Sequence, residues 1–218
     1  RSGWLTPDDA ELRARYALPD SKFLDIDGEP IHVVDQGQGP AIVLLHGSFG
    51  SLRMWNDWAA ALSPRYRVIR FDRPPMGLSG PNPEGRYDTA REMQIISALT
   101  ARLGIDQFFL VATSSAGVVG AAYAAENPQR VRGVILANIA VGKFEMNRDH
   151  LSTRMKWLLR VDPWFRGWHP VAFWEEVLLA NFHHPERVTP QLAQEWADLN
   201  NRAQRMPRRP GAAALASE

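Results

Sequence analysis

Gln107-Phe108-Phe109-Leu110-Val111-Ala112-Thr113-Ser114-Ser115-Ala116-Gly117-Val118-Val119-Gly120 decides the fold. A polar residue opens a short apolar run, a cluster of small residues follows, and Ala-rich sequence with helical spacing comes after it. This is the pattern of a buried strand, a sharp turn and a helix, with Ser114 at the turn. A strand that reverses straight into a helix crowds the residues two before and two after its apex. Those places hold Ala112 and Ala116, with Gly117 next. The apex residue is pushed into sparsely populated backbone space, and its Oγ stands clear of the main chain. The helix beginning there offers unpaired N–H groups and the positive end of its dipole, so the N–H of Ser115 can hold an oxyanion forming beside Ser114. Alanine at both flanking positions departs from the pattern Gly-x-Ser-x-Gly. On these residues alone, a helix start capped by Ser114 or Ser115 fits as well as a nucleophile does. Thr113, bulkier at a crowded place, makes Ser115 the poorer nucleophile of the two.

Upstream, Ala41-Ile42-Val43-Leu44-Leu45 is apolar throughout, as a strand covered on both faces must be, and it ends in His46-Gly47-Ser48-Phe49-Gly50-Ser51. The two glycines let the backbone turn with its N–H groups inward, which a second oxyanion donor requires. His46 reads as a residue that orients this loop and not as a catalytic base. The spacing predicts a helix over 52–62 with Trp55, Trp58, Ala59 and Leu62 on one stripe, and a strand over 67–71. Asp72-Arg73-Pro74-Pro75-Met76-Gly77-Leu78-Ser79-Gly80 follows as a tight loop in which Asp72 is expected to fix the backbone by hydrogen bonds. A second amphipathic helix is predicted from 88 or 89 to 103, and a buried strand over 131–137. At the start of the chain, Thr6 and Pro7 cap a short helix over 10–16. A hairpin, 23–26 with 31–35, turns at Asp27-Gly28, with His32 facing outward. Strand and helix alternate repeatedly, which implies a mostly parallel, doubly wound sheet with helices on both faces and ligands at the carboxyl ends of the strands. The Gly47 loop and the Ser114 turn both lie at that edge.

The chain has 218 residues, 45% of them hydrophobic, enough for one large core with a small insertion. A net charge of +1 gives no electrostatic case for nucleic acid. Without cysteine there is no disulfide, thiolate metal site or Cys nucleophile. No apolar run has the length of a membrane span. The first residue is Arg1, not Met, so an N-terminal piece, for example a signal or anchor, is expected to be absent from the sequence; the compartment stays open, with the cytoplasm slightly favoured.

Leu44-Leu45-His46-Gly47-Ser48-Phe49-Gly50, the loop from Phe71 to Gly80, the Ser114 turn and Asn127-Pro128-Gln129-Arg130-Val131 stand in an order and spacing that resemble the α/β-hydrolase superfamily. The nearest branch is that of single-domain esterases and carbon-carbon bond hydrolases whose cap follows the sixth strand. The resemblance implies Ser114 as nucleophile, the N–H groups of Ser48 and Ser115 as oxyanion hole, and Phe49 beside them. A serine at the apex, where dehalogenases and epoxide hydrolases of this family carry aspartate, implies acyl transfer to water.

After Ala137 the texture changes to three predicted helices, 147–160, 171–181 and 190–204, holding five of the eight tryptophans. This resembles the family's cap, and gives domains of 1–140 (core), 141–210 (helical cap) and 211–218 (start of the return to the core). Phe49, His46, Trp157 and Trp174 are the expected pocket residues, and a small ester with an apolar group is the expected substrate. No cofactor and no metal is expected: adjacent His183 and His184 point apart on a helix, without a carboxylate at zinc spacing. The family's two last strands carry the triad acid and histidine, and neither is found in the sequence. His150, His169, His183 and His184 follow no apolar strand, Asn138 is an amide, and Glu145 has no motif around it. Acid and histidine are therefore expected beyond Glu218, in a protein of which this is the earlier part. Were the chain whole as it stands, an exposed sheet edge would favour association, such as a homodimer, and a non-catalytic binding protein would be the expectation.

Overall fold

The computed structural model describes residues 7–139, 151–165 and 167–208. Six strands, β1 (Ser21–Ile26), β2 (Glu29–Gln36), β3 (Ala41–Leu45), β4 (Arg67–Phe71), β5 (Phe108–Thr113) and β6 (Val131–Ala137), form one sheet in the order β1-β2-β4-β3-β5-β6. The β1/β2 and β2/β4 pairs are antiparallel, and β4/β3, β3/β5 and β5/β6 are parallel. Successive residues of a strand face opposite ways. Val43, Leu45, Ile69, Phe71, Leu110 and Ala112 accordingly pack on one face against α3 (Thr89–Arg102) and α4 (Ala116–Glu126). Ile42, Leu44, Val68 and Val111 pack on the other with Trp55 and Ala59. Both faces are covered, which is why these strands carry no polar alternation.

The predicted helix over 52–62 is a 3-10 turn, Leu52–Trp55, running into α2 (Asn56–Leu62). Trp58 is off the buried stripe: it is 47% exposed, with its ring edge-on to Trp55 at a centroid distance of 5.4 Å. On the opposite face, Tyr123 of α4 is fully buried, its hydroxyl 3.1 Å from Ser97 Oγ and accepting from Arg130 Nη1 at 3.2 Å. Tyr123→Phe keeps the ring and loses both bonds, and is expected to lower unfolding free energy by about 1 kcal/mol in urea titration. An unchanged midpoint would show that the hydroxyl contributes nothing.

His32 corrects the sequence expectation. It is 1% exposed, with Nδ1 2.7 Å from Asp72 Oδ2 and Nε2 2.6 Å from Ser21 Oγ. The loop after β4 folds back over β2, as the bonds from Asp72 N–H to His32 C=O and from His32 N–H to Ser79 Oγ record, so both sides of β2 are covered. Ser21, His32 and Asp72 thus form a serine, histidine and aspartate line, but its work is bracing. Ser21 Oγ also accepts the Leu18 N–H at 2.8 Å, and Asp72 accepts the N–H groups of Leu52 and Leu78, each at 2.7 Å. Burial opposes ionisation of Asp72, yet the bond from His32 and the nearby imidazoles and N–H groups hold its carboxyl below the usual range. Gly77, at φ +60°, has no alternative: a Cβ there would lie 2.1 Å from Asp72 Cγ.

β6 closes the sheet order, and among the described residues no strand pairs with its outer side. Val134 and Ile135 on it, and Val118 on α4, are exposed.

Compactness separates residues 17–139 with 206–208 from 7–16 with 151–205. The second unit holds α1 (Asp9–Tyr16), α5 (Thr153–Val161), α6 (Val171–Asn181) and α7 (Pro190–Gln204). The first helix, read from sequence as part of the 1–140 core, therefore groups with the later helices. Arg202 grips Asp9 through Nε and Nη2, each at 2.8 Å, Arg15 reaches Asp198 at 3.2 Å, and the Tyr16 hydroxyl donates to Asp198 at 2.7 Å. α1 buries only Leu12, so charge pairing does much of the work of holding it. α7 starts as its sequence predicts, with Thr189 Oγ1 accepting from Leu192 N–H and Pro190 in the first turn. α5 begins at Thr153, capped by Ser152; the earlier start predicted at 147, and the domain seams at 140–141 and 210–211, lie outside the described residues.

Candidate active site

The strand-to-helix reversal is built as the sequence implies. β5 ends at Thr113, Ser114 sits at φ +52°, and α4 begins at Ala116. A non-glycine residue in that region is strained and needs support. Support comes from both sides: Ser114 N–H donates to Ala137 C=O of β6 at 3.2 Å, and Ser114 C=O accepts from Gly117 N–H at 2.9 Å. The small residues are needed for α4 to press on the sheet. A Cβ on Gly120 would come within 2.8 Å of Ala112 Cβ, and one on Gly117 within 2.2 Å of Ile139 Cγ2. Ser114 is exposed.

The loop after β3 passes directly against it. A Cβ on Gly47 would lie 2.7 Å from Ser114 Cβ and 3.3 Å from Ser114 Oγ, so only glycine lets the two backbones approach this closely. Ser48 follows, and its Oγ donates to Ser115 Oγ at 2.8 Å, which joins the loop to the helix start. Phe49 is half-buried at φ +63°, with its N–H on Met76 Sδ at 3.2 Å, so the next turn is drawn toward the loop after β4.

His46 is buried completely and lines no open surface. Arg73 N–H donates to its Nε2 at 2.8 Å, which leaves Nδ1 to carry the proton and donate to Gly47 C=O, also at 2.8 Å. Burial first, and the Arg73 charge second, push its pKa down to about 4. The ring is a neutral lock on the loop and has no free nitrogen for Ser114. His32 is the other imidazole of residues 17–139 and is engaged by Asp72 and Ser21.

Beneath the two loops lies a buried ion pair that the sequence did not single out. Arg73 forks onto Glu92 of α3, Nε to Oε2 at 2.7 Å and Nη2 to Oε1 at 2.9 Å. Its Nη1 donates to His46 C=O at 2.6 Å and to Ser115 Oγ at 3.3 Å. The one sequence clue was an arginine inside a loop whose glycines and prolines predict tight packing.

The two tryptophans expected in the pocket belong to the helical unit. Trp174 is 1% exposed and packed among His169, Phe173 and Trp196, which makes it core of that unit. Trp157 is 61% exposed. His183 and His184 are exposed, and among the described residues no cluster of histidine and carboxylate could hold a metal ion. No helix among the described residues is long and apolar enough to cross a membrane.

Comparison with known proteins agrees with this architecture. Over 120 residues the chain is 33% identical to haloalkane dehalogenase 2 of Mycobacterium tuberculosis (strain ATCC 25618 / H37Rv), covering 55% of the chain and 42% of the dehalogenase. Over 125 residues it is 30% identical to 2-hydroxy-6-oxo-6-phenylhexa-2,4-dienoate hydrolase of Burkholderia cepacia, covering 53% of the chain and 44% of that enzyme. The matches thus span less than half the length of these relatives. Among solved structures, wild-type Cfl2 from Burkholderia cenocepacia superposes with a TM-score of 0.65 at 24% identity, over 81% of this chain and 64% of that one. A family model described as alpha/beta hydrolase fold matches residues 40–214, and the chain belongs to the α/β-hydrolase family.

Proposed function

We propose that the protein is a serine hydrolase that cleaves a carboxylic ester through an acyl-enzyme at Ser114. The observation carrying this is a strained, exposed serine hydroxyl at the start of a helix, with the Gly47 backbone pressed against it. Attack by Ser114 Oγ on the ester carbonyl makes a tetrahedral oxyanion. The main-chain N–H groups of Ser48 and Ser115, on the two loops that meet at Ser114, are the proposed donors to it. Collapse expels the alcohol, and water then releases the acid.

The residue type favours this over dehalogenation, although a dehalogenase is among the relatives. A carboxylate that displaces halide leaves an alkyl ester that water can cleave. A serine would leave an ether that water cannot cleave, and the enzyme would stop after one turnover. Half-buried Phe49 next to Ser48 is the support for an apolar group on the substrate. Ser114 also needs a proton acceptor. Neither imidazole of residues 17–139 has a free nitrogen, so the acceptor has to come from outside those residues.

A second reading, hydrolysis of a 2-hydroxy-6-oxo dienoate by the same serine, is favoured by the 30% identity to the Burkholderia cepacia enzyme. Side-by-side turnover of p-nitrophenyl esters and such a dienoate separates the two. A fluorophosphonate is expected to modify Ser114, with the adduct located by peptide mass spectrometry. An unmodified Ser114 under conditions that label a control serine hydrolase would overturn both readings.

A further inference from the structure

The oxyanion hole of the proposed function has its two donors on separate loops, one after β3 and one after β5. Backbone donors on separate loops stabilise charge only if their spacing is held, and the side chains around them form a continuous latch. Ser48 Oγ donates to Ser115 Oγ at 2.8 Å, and Arg73 Nη1 donates to the same oxygen at 3.3 Å. The second Nη1 proton goes to the carbonyl of His46, two residues before Ser48, at 2.6 Å. One nitrogen of a guanidinium that is itself 4% exposed therefore touches both loops, while Glu92 fixes the rest of the fork from α3. Planar bidentate pairing sets the orientation as well as the position of that nitrogen.

We propose that Ser48, Ser115 and Arg73 act as positioning residues, a hydroxyl-to-hydroxyl latch anchored by a buried guanidinium that sets the distance between the two oxyanion donors. This rests on Ser114 being the nucleophile. It assigns the side chains of Ser48 and Ser115 a task separate from that of their N–H groups, which any residue would supply. The latch costs the site nothing in the ground state and acts where negative charge develops, so it should be read in kcat and not in KM.

Arg73→Ala would strand Glu92 in the interior and is a poor test for that reason. Ser48→Ala and Ser115→Ala remove one hydroxyl each and leave the main-chain donors in place. Each is expected to lower kcat for a p-nitrophenyl ester about 10- to 100-fold with KM unchanged, the order that small misplacement of reacting groups produces. The affinity of a trifluoromethyl ketone, which forms the tetrahedral adduct, should fall in parallel. Because one latch is broken either way, the double variant should be no slower than the worse single one. Thr at either position keeps a hydroxyl and should restore most of the rate. Wild-type kcat in both alanine variants, or effects that multiply in the double variant, would overturn the latch while fluorophosphonate labelling of Ser114 left the nucleophile standing. A wild-type protein whose Ser114 takes no label removes both.

Discussion

Ser114→Gly is expected to abolish ester turnover and, at the same time, to make the protein harder to unfold. Loss of the nucleophile should reduce kcat on the order of 10⁴-fold or more, the scale seen when a member of such a constellation is removed. The gain in stability has a different origin. At φ +52° a side chain crowds the neighbouring carbonyl oxygen, and glycine, lacking Cβ, is released from that cost; the expected rise is about 1 kcal/mol. Ser114→Ala removes the same hydroxyl while keeping the Cβ, so it should be equally inactive with no such rise. The pair separates chemistry from strain: turnover measures the hydroxyl, and the difference in urea midpoint between Gly and Ala measures the backbone. Turnover by either variant within tenfold of the parent would place the nucleophile elsewhere. Equal midpoints would mean that the bonds from Ser114 to Ala137 and Gly117 have removed the strain.

A fall in stability as the pH drops from about 6.5 toward 4 is the second large effect, and His46 is its source. The unfolded chain carries an ordinary imidazole, which takes up a proton through this range, while the folded ring resists until about pH 4. Between those values the unfolded state binds more protons, so unfolding free energy decreases as pH falls, in total by on the order of 3 kcal/mol for a displacement from 6.5 to about 4. His169, also shifted down by burial, acts in the same direction. Glu29, pushed up by burial, acts against them, because its folded carboxyl takes a proton before the unfolded one does. His46→Gln isolates the one contribution: it can keep a donor toward Gly47 and an acceptor for Arg73 N–H, and does not titrate. Urea midpoints for the two proteins should lie close together near neutral pH and separate toward pH 4, the parent losing more stability than the Gln variant. Parallel pH curves would mean that the loop admits a charged ring, and the site would then tolerate an imidazolium beneath the oxyanion donors.

Much of this architecture is legible in the sequence because the relevant signals are local. β3 is an unbroken apolar run that begins and ends where the strand does, and β4 and β6 are short stretches rich in Val, Ile, Leu and Phe whose observed bounds, 67–71 and 131–137, are those predicted. The Ser114 turn is legible for the same reason, since crowding dictates small residues at fixed offsets from the apex. What escaped was fixed by distant partners. His32 alternates with apolar neighbours as a surface residue would, and only Asp72, 40 positions on, brings it indoors. The tight loop around Arg73 does not reveal its role, because its carboxylate partner is on α3 and its other acceptors are on two further loops. Trp174 shows the limit of composition: a tryptophan-rich segment suggests a lined pocket, but a helical unit this small needs large rings for its own interior. α1 was assigned by its place in the chain, and its charges decided otherwise.

That last pairing governs the order in which the molecule can be completed. Arg15 and Asp198 are 183 positions apart, so during synthesis α1 leaves the ribosome long before its acceptor exists. The strands from β1 to β6 are all translated in the interval. They can nucleate a sheet from neighbours already present, whereas an eight-residue helix with one buried leucine cannot persist in water unaided. The first helix of the chain is therefore among the last to become ordered.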